Sequence, residues 1–149
     1  MRAVVQRVSQ AQVMVDALPT GSIAHGLVVL LGVHARDTEA DVTWMVDKVL
    51  HLRIFSDDQG LMNRSLLDTG GALLVVSQFT LLGDCRKGRR PSWHDAAPPD
   101  KAKALYGIFL EQCRQRQVPL ASGVFQAMMQ LSLCNDGPVT ILLDSHKTF

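Results

Sequence analysis

The segment VVSQFTLLGDCRKGRRPS, Val75 to Ser92, begins as an apolar β-rich run and ends in four cations within five positions: Arg86, Lys87, Arg89 and Arg90. Taken with the leucines before it, the run from Leu73 to Leu82 predicts a strand covered on both faces, because a half-exposed strand would alternate apolar with polar side chains. LVVLLGV, Leu27 to Val33, reads the same way. Two such strands need helices to cover them. Thr38-Glu39-Ala40-Asp41 has the spacing of a capping box, and Val42, Met45, Val46, Val49 and Leu50 follow at helical intervals. Pro98-Pro99-Asp100 reads as the start of a second helix that turns Leu105, Ile108, Phe109 and Cys113 inward. Strands exchanging with helices in this way make the fold class α/β.

The remaining signals are strands and turns. AVVQRV (Ala3–Val8) and QVMVD (Gln12–Asp16) read as two short strands, and ALPTGS (Ala17–Ser22) supplies the Pro and Gly of a turn. Asp57-Asp58-Gln59-Gly60 reads as another turn. In QAMMQLSLCN (Gln126–Asn135), Ala127, Met129, Leu131 and Leu133 alternate with Gln126, Gln130 and Ser132, which predicts a strand with one covered face. VTILLD (Val139–Asp144) closes the sheet. Between these last two strands, Asn135-Asp136-Gly137-Pro138 reads as a tight turn. Composition gives no reason to expect a cis bond there, since only about 5–6% of X–Pro bonds in folded proteins are cis.

The chain has 149 residues, 47% of them hydrophobic and 19% charged. That fits one domain spanning residues 1–149, able to bury roughly 70% of its unfolded surface. The cysteines, Cys85, Cys113 and Cys134, are odd in number and form no CxxC pair, which argues against a disulfide framework or a zinc site and suits a reducing cytoplasm. The N-terminus reads as a strand rather than a signal peptide, and no run approaches 18 uninterrupted apolar residues, so a soluble, cytoplasmic protein free of membranes is expected. A net charge of +1 excludes the globally basic class of nucleic-acid binders. A polyanion would have to be held by a local patch such as Arg86 to Arg90, although a charge run alone is more often a solvated loop.

Familiar catalytic sets are absent: there is no GxSxG elbow, HExxH, P-loop or dinucleotide fingerprint. His25, His34, His51, His94 and His146 have no metal-ligand spacing, and no metal or cofactor is expected. Ser77 or Thr80 could act as a nucleophile only with a base in reach, and sequence does not place a histidine or Asp84 there. The end of a strand offers another device, unpaired backbone N–H groups that stabilise an oxyanion.

MRAVVQRV, GLVVLLGV, DTEAD, KVLHLRIF, MNRSLLD, LLVVSQFTL, GDCRKGRRPS, AMMQ and NDGPVT together resemble the D-aminoacyl-tRNA deacylases over nearly the whole chain. The two motifs that mark that family, SQFTL and NxGPxT, stand here at Ser77–Leu81 and Asn135–Thr140. Leu82 departs from the aromatic common at that position, and Ala17-Leu18-Pro19-Thr20 from the usual polar hairpin turn. The resemblance implies a three-layer α/β/β fold with two main helices and a homodimer in which a cis Gly137-Pro138 from one subunit enters the partner's active site as a chiral filter. It implies that Arg7 holds this loop and that Met129 lies among the substrate-binding residues. It also implies an aminoacylated tRNA as substrate, with glycyl esters passing the filter, and places the chemistry at Ser77, Gln78, Phe79 and Thr80. Either Thr80 is the nucleophile or the ribose 2′-hydroxyl assists a water; the missing base favours the second. Arg86, Lys87, Arg89 and Arg90 would meet tRNA phosphates. Two other readings stay open: a dimeric nucleic-acid-binding module without chemistry, and a deacylase for glycine or mischarged L-amino acids.

Overall fold

The computed structural model describes residues 1–149. At its centre β3 (Gly26–Gly32) and β6 (Ala72–Ser77) run parallel, in register from Gly26↔Ala72 to Leu31↔Ser77. Both are apolar on both faces because both faces are covered. Leu27, Val29, Leu31, Leu73 and Val75 enter the larger core, and Val28, Leu74 and Val76 enter a smaller one with Val8, Ala11 and Val13. A parallel pair requires a crossover. Helix α1 (Glu39–His51) lies on it and buries Val42, Met45, Val46, Val49 and Leu50 against the sheet. Its start follows the expected pattern, with the Asp41 carboxylate accepting the Thr38 backbone N–H at 2.9 Å. Helix α3 (Pro99–Gln115) packs against α1. It buries Leu105, Phe109 and Cys113 as expected, together with Tyr106 and Leu110, while Ile108 is half-buried.

The N-terminal region differs from the sequence reading. Ala3–Val8 and Gln12–Asp16 belong to one strand, β1 (Arg2–Val15). Its first half pairs with β3, its second half with β2 (Leu18–Ile23), and β8 (Gln130–Asp144) runs along its other edge. One extra residue, Ser9, lies between the pairs Val8↔Asn135 and Gln10↔Cys134. Such a bulge bends a strand and lets it pass from one layer into the next. Pro19 to Ser22 are strand rather than turn. The reversal sits at Asp16-Ala17, with φ of 48° and 61°, and two positive φ values match the twist of a two-residue hairpin. Pro19 is tolerated because β2 ends the strand order.

The result is the expected α/β/β stack: two main helices, the sheet around β3 and β6, and a second β layer built from β2 and the outer parts of β1 and β8. Three small elements complete it. These are the hairpin of β4 (Phe55–Ser56) and β5 (Met62–Arg64) around Asp57–Gly60, the single turn α2 (Leu66–Thr69), and β7 (Leu120–Ser122), parallel to β6. All three cysteines are free, and no helix is long and apolar enough to cross a membrane.

The parallel pair is sterically closed at its start. A Cβ on Gly26 would lie 1.8 Å from the Ala72 carbonyl oxygen and 2.7 Å from its carbon, both backbone atoms that cannot rotate away. Gly26→Ala is therefore expected to cost about 3 kcal/mol, an overpacking penalty at the top of the usual range. Chemical denaturation of the purified variant checks this, and an unchanged midpoint would refute it.

Candidate active site at the end of the parallel strands

Strand β6 ends at Ser77, five residues earlier than the apolar run suggested. The Gln78 N–H donates to the Leu31 carbonyl at 2.8 Å, and Phe79–Leu82 then closes into a 3-10 turn. Gly32 makes room for it, since a Cβ there would sit 2.8 Å from the Gln78 carbonyl and 2.6 Å from a Leu82 methyl. The apolar residues after Ser77 are thus explained by packing of the turn rather than by a longer strand. The first N–H groups of any helical turn lack an internal acceptor. Those of Phe79 and Thr80 find none elsewhere in the protein, and both residues are exposed.

Beside this turn lies a cavity of about 700 Å³ lined mostly by apolar groups. Leu30, Leu31, Val76, Ser77, Gln78 and Phe79 form one wall, Tyr106 of α3 another, and Phe125 and Met129 a third. The fold thus brings Met129 to Ser77, Gln78 and Phe79 across more than 45 residues of chain. The segment Gln126–Met129 is a turn preceding β8 rather than strand, with Gln126 at φ 64°. The Tyr106 hydroxyl donates to the Val75 carbonyl at 2.9 Å, and burial pushes its pKa up to about 12, so it stays protonated and is no base.

Thr80 has no base either. Its hydroxyl is hydrogen-bonded to the Gln78 carboxamide, which is not basic in either orientation. Asp84 is committed to Arg86, whose Nε, Nη2 and backbone N–H donate to it at 2.8, 2.7 and 3.0 Å. These bonds hold the Asp84 carboxyl far below the usual carboxylate range. No histidine bonds to the segment either: His25 packs on Phe55, His51 contacts Asp47, and His34 and His146 gather elsewhere.

That second gathering was invisible in the spacing. His34, Asp37 and His146 bring potential ligand atoms within 4.8 Å of one another. Buried Asp37 is already saturated, however. It accepts from the Met1 ammonium at 2.5 Å, from the His34 N–H at 2.6 Å and contacts His146 Nε2 at 2.7 Å. A cation would have to displace the ammonium, so the cluster reads as a structural hub.

The second motif also departs from its sequence reading. Asn135–Pro138 does not separate two strands; it is a protrusion within the single strand β8. Between the pairs Gln6↔Thr140 and Val8↔Asn135, residues 136–139 stand opposite Arg7 alone. Arg7 fills the gap: Nε donates to the Asp136 carbonyl at 3.1 Å and Nη1 to the Ile54 carbonyl at 2.6 Å. The Asn135 amide donates to the carbonyls of Arg7 and Val139, both at 2.9 Å, and closes the base. Gly137 has φ 117°, a conformation other residues rarely adopt, and a Cβ there would lie 2.5 Å from Arg7 Nη2. The Gly137-Pro138 bond is cis, as the resemblance implied and composition did not. Both residues are exposed, and neither lines the cavity of its own chain.

In the basic loop Arg86 is neutralised by Asp84, while exposed Lys87, Arg89 and Arg90 make no ion pair. The loop is closed at its neck by reciprocal hydrogen bonds of 2.9 and 3.0 Å between Asp84 and Ser92.

Two residues overlooked in the sequence support the site. Arg2 Nη1 donates to the Leu81 carbonyl at 3.1 Å, and Arg2 Nε to Asp144 Oδ2 at 3.3 Å. The first residue of β1 and the last of β8 thus pin the 3-10 turn. Burial alone would raise the Asp144 pKa, but hydrogen bonds from the Thr148 hydroxyl, the His146 N–H and Arg2 outweigh it and leave it below its ordinary 3.8. An arginine in an N-terminal strand carries no signal that it reaches a turn 79 residues away.

Residues 4–144 match the family model described as D-Tyr-tRNA(Tyr) deacylase, which defines the class as an enzyme family of hydrolases. Relatives named D-aminoacyl-tRNA deacylase are 62% identical in Kosmotoga olearia and 57% identical in Desulfotalea psychrophila, each over 149 residues and the full length of both chains. One from Opitutus terrae is 60% identical over 98% of each chain. The solved structure of a c-Myc DNA Unwinding Element Binding Protein superposes with a TM-score of 0.91 at 42% identity, covering 97% of this chain and 98% of that one. Another, of a probable eukaryotic D-amino acid tRNA deacylase, has a TM-score of 0.80 at 22% identity over 95% and 97%, and speaks to the fold alone. The chain belongs to the D-Tyr-tRNA deacylase family.

If Arg2 positions the turn, Arg2→Ala is expected to lower kcat about tenfold, the rate equivalent of one lost hydrogen bond, with a smaller change in KM and partial recovery in Arg2→Lys. A change confined to KM would contradict this. Because its pKa is depressed in the fold, ionised Asp144 contributes stability above pH 3.8 that is lost as pH falls through the lower folded value. Asp144→Asn should therefore lower Tm by roughly 5 °C at pH 7, with the difference from wild type shrinking at pH 3.

Proposed function

We propose that the protein hydrolyses the ester joining a D-amino acid to the 3′-terminal adenosine of tRNA, releasing the free amino acid and the tRNA. The observation that carries this reading is the pair of unpartnered N–H groups at Phe79 and Thr80, at the mouth of a cavity and with no base bound to the neighbouring hydroxyl. Water adds to the ester carbonyl, the oxygen becomes an oxyanion, and these two N–H groups stabilise its charge without reorganising. Collapse expels the ribose oxygen, which takes up the proton released by the water. The vicinal ribose 2′-hydroxyl orients that water, a role the protein leaves vacant. The apolar cavity takes the adenosine, with Gln78 reaching the ribose and Met129 the base.

Selection against L-amino acids is assigned to a second copy of the chain, whose Gly137-Pro138 enters this cavity. Support comes from their exposure, from their exclusion from the cavity of their own chain, and from the edge position of β8. That strand has fifteen residues, pairs only with β1 and leaves Leu142 59% exposed. Long unpaired edges of this kind are covered in stable proteins. A wall of backbone carbonyls leaves space on one side of the α-carbon only and cannot move aside as a side chain could. Glycyl esters pass it. Lys87, Arg89 and Arg90 hold acceptor-stem phosphates and fix position rather than read sequence. Such a substrate places the protein in the cytoplasm.

A nucleic-acid-binding module without chemistry is favoured by one observation: the 42% identical structure is that of a protein named for binding DNA. Parallel assays of D-Tyr-tRNA and L-Tyr-tRNA separate the two readings. Release from the D ester alone is expected, and release from neither would leave only binding. Thr80→Ala should keep kcat within about tenfold of wild type, whereas loss of a nucleophile costs on the order of 10⁶-fold. Replacing both Arg89 and Arg90 by Ala should reduce the slope of log affinity against log salt by roughly two. An unchanged slope would remove the loop from the interface.

A further inference from the structure

Phe79 and Trp93 are among the few large apolar side chains left open to solvent, 58% and 40% exposed, and they stand together. Their ring centroids are 5.2 Å apart at an interplanar angle of 69°. Trp93 is fixed by more than this contact. Its indole lies against the backbone of the turn at Gly83, where a Cβ would sit 2.7 Å from Cζ3. It also follows directly on Ser92, which closes the neck of the basic loop. The pair therefore bridges two parts of the site: Phe79 lines the cavity and opens the 3-10 turn, and Trp93 leaves the base of the loop that carries Lys87, Arg89 and Arg90.

We propose that Phe79 and Trp93 form a stacking platform for the unpaired nucleotides that precede the terminal adenosine of tRNA. This rests on the deacylase reading above and extends it. With the adenosine in the cavity and the acceptor-stem phosphates on the loop, the single-stranded CCA end must cross the surface between them, and the two rings occupy that surface. Rigid exposed aromatics beside free cations are the elements by which proteins hold single-stranded nucleic acid, because every base has a stackable face and the adjacent phosphates meet positive charge. Stacking needs no base-edge readout, and none is needed here, because the unpaired nucleotides before the terminal adenosine are the same CC in every tRNA. Charge complementarity and continuity with the cavity favour RNA over an apolar protein partner on this patch.

Trp93 can report on the platform itself. The chain has two tryptophans, and Trp44 lies in α1, packed on the helical core and near Lys48. In a Trp44→Phe background, an RNA hairpin with an unpaired 3′ CCA end is expected to quench the remaining fluorescence, and the same hairpin with a blunt end is not. Equal signals from both hairpins, or none from either, would overturn the platform. This readout needs no hydrolysis, so it separates failure of the platform from failure of the deacylase reading, which would appear as no release from any ester. In the kinetic arm, Trp93→Ala should raise KM for D-Tyr-tRNA about tenfold more than KM for 3′-O-D-tyrosyl-adenosine, which lacks the preceding nucleotides, and Trp93→Phe should recover most of the loss. Equal effects on both esters would mean that Trp93 only braces the turn, and would refute the proposal.

Discussion

The parallel pairing of β3 with β6 is the constraint on which the rest of the molecule depends. A strand buried on both faces has no polar side to offer, so any polar chemistry must wait until it ends. Both strands end together, at Gly32 and Ser77, and the cavity opens there. This is where open α/β sheets generally place their ligands, beyond the carboxyl ends of parallel strands, because backbone groups released from the ladder are available there. Two glycines make the arrangement possible at opposite ends of β3. Gly26 allows the strands to approach at their start, and Gly32 lets the chain after Ser77 fold back against the sheet.

The two segments of the candidate site are both places where regular structure is broken and then held. After Ser77, Gln78–Leu82 leaves the ladder for a 3-10 turn pinned at Leu81 by Arg2, and within β8 Asp136–Val139 bulges away from its pairing with β1 in a protrusion held by Arg7. Each arginine sits on β1, with a guanidinium donating to main-chain carbonyls and a carboxylate close by, Asp144 for one and Asp136 for the other. A guanidinium suits this work because its donors are fixed in a plane and can bridge two acceptors at once, whereas an ammonium is a single point. The long strand β1 is thus the beam that fixes both segments in one frame.

Much of this could be read from the chain itself, and the limits have physical causes. Val42, Met45, Val46, Val49 and Leu50 repeat at the helical period, and Pro99 preorganises a helix start, so α1 and α3 were legible. Leu73–Val76 were legible as a buried strand, but Leu81 and Leu82 extended the same apolar signal through a turn that packs just as tightly. Period-based reading does not distinguish apolar residues in a covered strand from those in a covered turn. The sequence from Gln126 to Asp144 reads as two strands because Asn, Asp, Gly and Pro form turns; whether such a tetrapeptide reverses the chain or only protrudes from it depends on what stands opposite, here Arg7. Pro19 failed as a turn signal for a related reason: at a sheet edge a missing N–H costs nothing. Arg2 and Trp93 lay outside local pattern altogether, since their roles come from partners distant in sequence or from exposure.

The electrostatics of the site follow from a chain that is nearly neutral. With a net charge of +1, long-range attraction of a polyanion is weak, so position must come from local charge. Four cations stand in the loop, yet Asp84 takes one of them and in doing so stiffens the neck beside Ser92. The same pairing withdraws the carboxylate nearest to Thr80 in sequence from service as a base. One ion pair thus both shapes the basic loop and leaves no free carboxylate beside Thr80, which is why the proposed reading relies on backbone donors and the substrate's own hydroxyl. Backbone donors have no side chain to tune or lose, and they make no contact that depends on which amino acid the ester carries. In the proposed reading, such donors suit an editing site that must accept many side chains and reject one handedness: they would meet the carbonyl common to every ester and leave discrimination to a rigid wall beside the α-carbon.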